Sequence, residues 1–155
     1  MSGLKVKLSD IIEGFDFQSD NLDVYLNMKT GEVIYIEDEL YFLVNSDRDL
    51  SSYPEWQQES IKVAKKVMHE DYFEPFPSKY EINEYKIMES FSHSRKPEIK
   101  ERLLRAINGR GAFRRFKDEI FELGIRDDWF KYRKKQFKVI AINWSKTLDF
   151  EIIED

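Results

Sequence analysis

The stretch Asn108 to Arg133 constrains the fold more than any other part of the chain. It reads Asn-Gly-Arg-Gly-Ala-Phe-Arg-Arg-Phe-Lys-Asp-Glu-Ile-Phe-Glu-Leu-Gly-Ile-Arg-Asp-Asp-Trp-Phe-Lys-Tyr-Arg. Asn108 and Gly109 both tolerate the left-handed conformation that ends a helix, so one helix stops there. Past the Gly-Arg-Gly turn, Phe113, Phe116, Ile120 and Leu123 recur at helical spacing, and Gly124 marks a second stop. Asp127 or Asp128 then starts a last helix in which Trp129, Phe137, Ile140 and Trp144 share a face. A chain built this way packs short helices against each other across tight turns.

Upstream, Ser94 and Pro97 open the helix that ends at Asn108, with Leu103, Leu104 and Ile107 inward. Pro54 suits the first turn of a helix to about His69, capped near Ser52, with Trp56, Ile61, Ala64, Val67 and Met68 on its apolar side. The prolines of Phe73-Glu-Pro-Phe-Pro77 stop it, and a further helix runs from about Lys79 to Phe91. The strongest strand signal is Asp23 to Ile36, where Val24 alternates with Leu26 and Val33 with Tyr35 around Gly31. Before it, Ser9 is placed to cap a short helix through Phe15; after it, Leu40 to Val44 suits either a third strand or a short helix. The tail Leu148 to Ile153 suits an edge strand.

The expected fold is therefore a single α+β domain over residues 1–155, mainly helical. About five helices, within residues 53–146, pack with a small N-terminal antiparallel β-hairpin or three-stranded sheet within residues 1–45. A chain of 155 residues can bury a substantial core, and with 15% aromatics that core rests on Phe and Tyr. There is no Cys, hence no disulfide and no thiolate metal site. No run approaches the roughly 18 apolar residues of a membrane span, and the first ten residues lack the apolar segment of a signal peptide, so a cytoplasmic protein with no membrane partner is expected.

The net charge of -5 hides an asymmetry. Residues 1–94 carry 9 Lys and Arg against 19 Asp and Glu, whereas residues 95–138 carry 15 against 7. A basic middle in an acidic protein is an anion-binding face or a face that docks on acidic neighbours.

At Gly109-Arg-Gly-Ala-Phe-Arg-Arg-Phe-Lys-Asp118, with Gly124 and Trp129-Phe-Lys-Tyr-Arg133, the chain resembles a family of uncharacterised bacterial proteins. The likeness extends to Tyr25-Leu26, to Thr30-Gly-Glu-Val33 and to Asn83-Glu-Tyr-Lys-Ile-Met-Glu89, so it spans nearly the whole sequence. Phe130 stands where the family pattern has Tyr. The resemblance implies a bacterial cytoplasmic domain and brings no activity, cofactor or catalytic residue with it.

Candidate binding residues are Gly109, Arg110, Gly111, Arg114, Arg115, Lys117, Trp129 and Arg133. The glycine turn ahead of a helix could offer backbone N–H groups to a phosphate, with Arg110, Arg114 and Arg115 adding charge. The same glycines serve as a C-cap between packed helices, and neither a Walker loop nor a dinucleotide fingerprint is present. Arg114 precedes Asp118, and Arg115 precedes Glu119, by one helical turn, which offers each arginine an internal partner. The aromatics of this region fall, by spacing, on the core side. Arg133 lies by helical count near the centre of the apolar face of Trp129, Phe137, Ile140 and Trp144. It needs either a carboxylate or an anionic ligand in a pocket, with Trp129 or Tyr132 beside it.

His69 and His93 show no metal-ligand spacing, and no nucleophile elbow is present, so no metal, cofactor or catalytic residue is assigned. The sequence identifies no reaction. The function it favours is a non-enzymatic binding module using the basic 95–138 face toward another protein or an anionic ligand. The alternatives are nucleic-acid or phosphate-ligand binding at the Gly109–Gly111 turn, and a hydrolase with an unrecognised carboxylate site.

Overall fold

The computed structural model describes residues 3–155. In chain order the elements are β1 (Lys5–Lys7), α1 (Leu8–Phe17), β2 (Leu22–Asn27), β3 (Val33–Glu37), α2 (Asp38–Val44), α3 (Glu55–His69), β4 (Phe73–Pro75), α4 (Lys79–Ile82), α5 (Glu84–His93), α6 (Pro97–Ala106), α7 (Ala112–Glu122), α8 (Arg126–Leu148) and β5 (Glu151–Ile153). The fold is α+β with a small three-stranded antiparallel sheet, and seven of the described helices have seven residues or more, against the five expected. The surplus is α1 and α2; the division of one expected helix adds only the four-residue α4. These residues form two compact units, one of residues 3–78 with 144–155 and the other of residues 79–143. None of the described helices is long and apolar enough to cross a membrane.

In the first unit the hairpin expected from Asp23 to Ile36 is present, with Val24 opposite Tyr35 and Leu26 opposite Val33. Asn27 closes its turn, its side-chain oxygen accepting from the backbone N–H groups of Lys29 at 2.9 Å and Thr30 at 3.3 Å. Gly31 sits at φ 81°, and a Cβ there would meet the Lys5 carbonyl at 3.1 Å, so the position demands glycine twice over. The third strand comes from Phe73–Pro75, read from sequence only as a helix stop. Pro75 is tolerated because β4 is an edge strand in the order β3-β2-β4, where a missing N–H leaves no ladder gap. Leu40 to Val44 falls in α2 and is helical.

The alternation of the strands separates two faces. On one side Phe17 of α1 meets Tyr35 edge-on at 6.2 Å, and Phe15 meets Phe76 at 5.9 Å. On the other, Ile36 packs with Ala64 and Val67 of α3, and Tyr25, Tyr41 and Phe73 close over them. Gly14 lets the Phe76 ring lie against the α1 backbone. The tail closes the unit, because β5 pairs in parallel with β1, Lys5 opposite Glu151 and Ile153 opposite Lys7. Ser9 is not the N-cap of α1, which starts at Leu8 with no side-chain cap of its own. Instead the Asp155 carboxylate accepts from the Ser9 N–H and hydroxyl, capping the first turn from the far end of the chain. Those hydrogen bonds hold the Asp155 carboxyl below its ordinary range.

Two more expectations are corrected here. Ser52 belongs to a separate turn, Leu50–Ser52, capped by Asp49, and α3 begins after Pro54. Trp56 (72%) and Met68 (38%) face solvent, since the buried stripe of α3 is Ile61, Ala64 and Val67.

The second unit holds α4 to α7 and α8 up to residue 143. The helix expected from Lys79 to Phe91 is broken at Asn83, which takes φ 52° and caps α5 by accepting from the Lys86 N–H at 3.3 Å. The core is aromatic. Phe91 and Phe116 are fully buried, Trp129 is 4% exposed, and their rings meet edge to face at 4.8–6.3 Å, in pairs 91/116, 91/129 and 116/129. Charge follows the division. Residues 79–143 carry 17 Lys and Arg against 10 Asp and Glu, a net of +7, which leaves 8 against 20, a net of -12, in the other unit.

The sheet's polar network gives a test. Tyr41 donates to Asp23 at 2.8 Å and its hydroxyl stands 3.0 Å from that of Tyr25. Burial, then the hydrogen bonds to Tyr25 and Asp23, push the Tyr41 hydroxyl well above its ordinary range. A folded pKa raised above the unfolded one stabilises fully below the unfolded value and is lost as pH rises beyond it. Stability should therefore fall on titration above about pH 10. Tyr41→Phe should lower it by about 1 kcal/mol at neutral pH and flatten the alkaline fall, read by urea unfolding at a series of pH values.

Candidate functional site

The turn between α6 and α7 is built by one side chain. Gly109 (φ 84°) and Gly111 (φ 76°) take left-handed conformations and reverse the chain after Ile107. Arg115, one turn into α7, reaches back over them. Its Nε donates to the Ala106 carbonyl at 2.9 Å, Nη2 to the Asn108 carbonyl at 2.7 Å, and Nη1 to the Arg110 carbonyl. These are carbonyls at and just past the negative end of α6, where a planar cation with five donors is favoured. A Cβ on Gly111 would stand 3.0 Å from Arg115 Nη1, so the glycine also clears room for the guanidinium.

This corrects the expected pairing along α7. Arg115 does not turn to Glu119, which instead meets Arg102 of α6 at 2.6 Å. Spacing within one helix could not reveal a partner on the neighbouring one. Nor does any ion pair among the described residues join Arg114 to Asp118; both side chains are exposed.

Between α6 and α7 lies an open cleft of about 320 Å³ lined by Arg102, Arg105, Ala106, Arg115, Asp118 and Glu119. Its guanidiniums are already engaged. Arg102 bridges Glu119 and, at 3.4 Å, Glu122; Arg105 pairs with Glu101 at 3.0 Å; Arg115 holds the turn. An anionic ligand would have to displace carboxylates or carbonyls to enter.

The outward face of α7 is different. Ala112, Phe116 and Ile120 form the buried stripe. Phe113 (47%) and Phe121 (72%) are exposed, contrary to the expectation that the aromatics here point inward and that Phe113 shares the core stripe. By helical count Phe113 lies within about 60° of Phe116, so its exposure is not a matter of spacing: at the first turn of α7 the buried residue is its neighbour Ala112. Phe113, Lys117 and Phe121 are spaced by four and run along one side of the helix, with Arg110 and Arg114 beside them. The structure thus separates the candidate residues. Gly109, Gly111 and Arg115 meet in the turn, Arg110, Arg114 and Lys117 face water, and Trp129 is in the core.

Arg133 makes the internal ion pair that was one of its two expected fates. Its Nε donates to Glu84 Oε1 at 2.6 Å, and its guanidinium carbon lies 4.2 Å over the Phe137 ring. Both side chains are mostly shielded, at 20% and 30% exposure. Glu84 stands beside the Asn83 break, so the left-handed residue that divides α4 from α5 also positions the carboxylate. Nothing in the spacing of either helix announced this pairing across 49 residues. His69 and His93 are exposed at the ends of α3 and α5, and among the described residues no three His, Asp or Glu side chains could hold a metal ion.

Two stability measurements follow. Gly111→Ala, strained by its positive φ and crowding the guanidinium, should lose about 1–3 kcal/mol, and Arg115→Ala about 1–2 kcal/mol. A Gly111→Ala chain more stable than wild type in chemical denaturation would remove the clip from the account. A double-mutant cycle of Glu84→Gln and Arg133→Met should return a coupling of about 1–3 kcal/mol; additive single changes would show that the pair holds nothing.

Comparison with known proteins gives one assignment. No curated protein and no solved structure matches the chain. A family model does, and it covers residues 1–155, taking in the hairpin, the Asn83 break, the Arg115 clip and the last helix alike. The chain belongs to the Uncharacterised protein family (UPF0158).

Proposed function

We propose that the chain is a non-enzymatic cytoplasmic binding module that docks another protein on the outward side of α7 and the turn before it. The observation that carries this is the pair of exposed rings, Phe113 and Phe121, set on either side of Lys117. Water-facing aromatics of this kind lose contact with water on docking and act as anchors. Around them the charges are of both signs, with Arg110, Arg114 and Lys117 against Asp118 and Glu122, all exposed. Aromatic anchors within a mixed polar rim suit a protein surface that offers apolar sockets and an acidic margin.

The commitments of Arg115 weigh against a phosphate-ligand role for the Gly109–Gly111 turn. An anion site would use the guanidinium nearest the glycines, and that group is spent on three carbonyls.

The test is affinity capture from nuclease-treated lysate with wild-type, Arg114→Glu and Phe121→Ser baits. A specific partner should be held by wild type and lost by both variants, while thermal midpoints stay within the small range of exposed substitutions, about 0.5 kcal/mol. Variants that hold the same set of proteins as wild type would refute docking through this face.

A further inference from the structure

A second surface, on α8, has a different character. Lys131, Lys134, Lys135 and Lys138 recur at helical spacing and fall within an arc of about 100°. That arc leaves out Trp129, Phe137 and Ala141, the residues of α8 that are buried in this unit. The first three lysines are exposed and join no ion pair among the described residues; Lys138, half-buried, continues the row. From Lys131 to Lys138 the row extends roughly 10 Å along the helix. Residues 131–138 of the helix include no carboxylate. Asp127 and Asp128 lie one turn before Lys131 on the same side, and Asp128 is 3.9 Å from Arg95.

Past that first turn the face is of one sign. Lys131 and Lys135 are like charges four residues apart, an arrangement that destabilises the helix carrying them, and Lys134 stands beside them. The strain is relieved when an anionic chain lies along the row. Phe130, 49% exposed, borders it one turn before Lys134, and the Arg126 guanidinium sits 5.5 Å from its ring centre. A line of cations edged by an exposed ring is the combination that holds single-stranded nucleic acid, phosphates on the lysines and a base on the ring. The α7 face, with its mixed signs and two anchors, is unlike it.

We infer that this lysine row with Phe130 is a binding surface for single-stranded nucleic acid, separate from the protein-docking face proposed on α7. The measurement is fluorescence anisotropy of a labelled oligodeoxythymidine of roughly 16 nucleotides, titrated with the full chain at increasing salt. Wild type should bind at low salt, with log K falling against log salt at a slope of about -2 for three phosphate contacts. A Lys131→Gln, Lys134→Gln, Lys135→Gln variant should lose about tenfold or more at low salt, with a thermal midpoint close to that of wild type because all three side chains are exposed. Phe130→Ala should weaken binding by about fivefold or more through lost stacking.

The inference is overturned if wild type fails to bind at low salt, or if the triple variant binds as wild type does. It is also overturned if a duplex of equal length binds as tightly and Phe130→Ala changes nothing. Binding to phosphatidylserine vesicles without binding to the oligonucleotide would assign the row to a lipid surface instead.

Discussion

The reach of Arg115 back to the end of α6 is the contact on which the second unit's surface depends. A helix ends with carbonyls that need donors, and here one guanidinium satisfies the Ala106, Asn108 and Arg110 carbonyls together. With that cation bound over the turn, Gly109 and Gly111 are held in left-handed conformations, and the direction of α7 against α6 is fixed. The rotation of α7 about its own axis follows from the burial of Phe116 and Ile120. That rotation turns Lys117 and Phe121 to water, and Phe113, at the first turn beside the buried Ala112, is exposed with them. The surface proposed for docking is therefore a consequence of an internal contact.

A basic stretch in sequence turns out to be two kinds of charge in space. Arg102, Arg105, Arg115 and Arg133 are consumed by carboxylates or carbonyls of the same unit. Arg110, Arg114, Lys117, Lys131, Lys134 and Lys135 are exposed. That the engaged set is all arginine has a chemical logic. Arginine's rigid fork satisfies several acceptors from one position, which suits a clip or a shielded pair, whereas lysine keeps its hydration and suits an outer face. Net charge alone could not separate these populations, because an engaged arginine and a free lysine count equally in it.

The legible parts of this fold were those whose signal is local. The hairpin was readable because alternation and a glycine turn lie within one short stretch, and the ends of α6 and α7 because glycines mark them. What escaped depended on distant partners. Phe73–Pro75 looks like a helix stop until β2 is there to pair with it. Asn83 lies within an apparently continuous apolar pattern, and its left-handed conformation is paid back by a cap and by the placement of Glu84. Phe113 shares helical spacing with Phe116 and Ile120, and only the packing of α7 decides that Ala112 is buried at its level instead. Of the candidate site, sequence supplied the residues but not their orientation.

Orientation also decides how the exposed rings should be understood. An isolated exposed aromatic is ordinary, since a folded chain cannot cover all its apolar surface. What distinguishes Phe113, Phe121 and Phe130 is their company: each is set among cations on a unit of net charge +7, and none is required by the core that Phe91, Phe116 and Trp129 already fill. A ring beside cations on a convex helix has little to gain from its own chain, and a partner carrying negative charge gains from both at once. The sign pattern around each ring then separates the partners. Asp118 and Glu122 beside Phe121 suit a protein of mixed charge, whereas past Phe130 the helix carries lysines and no carboxylate through Lys138, Asp127 and Asp128 lying before the ring.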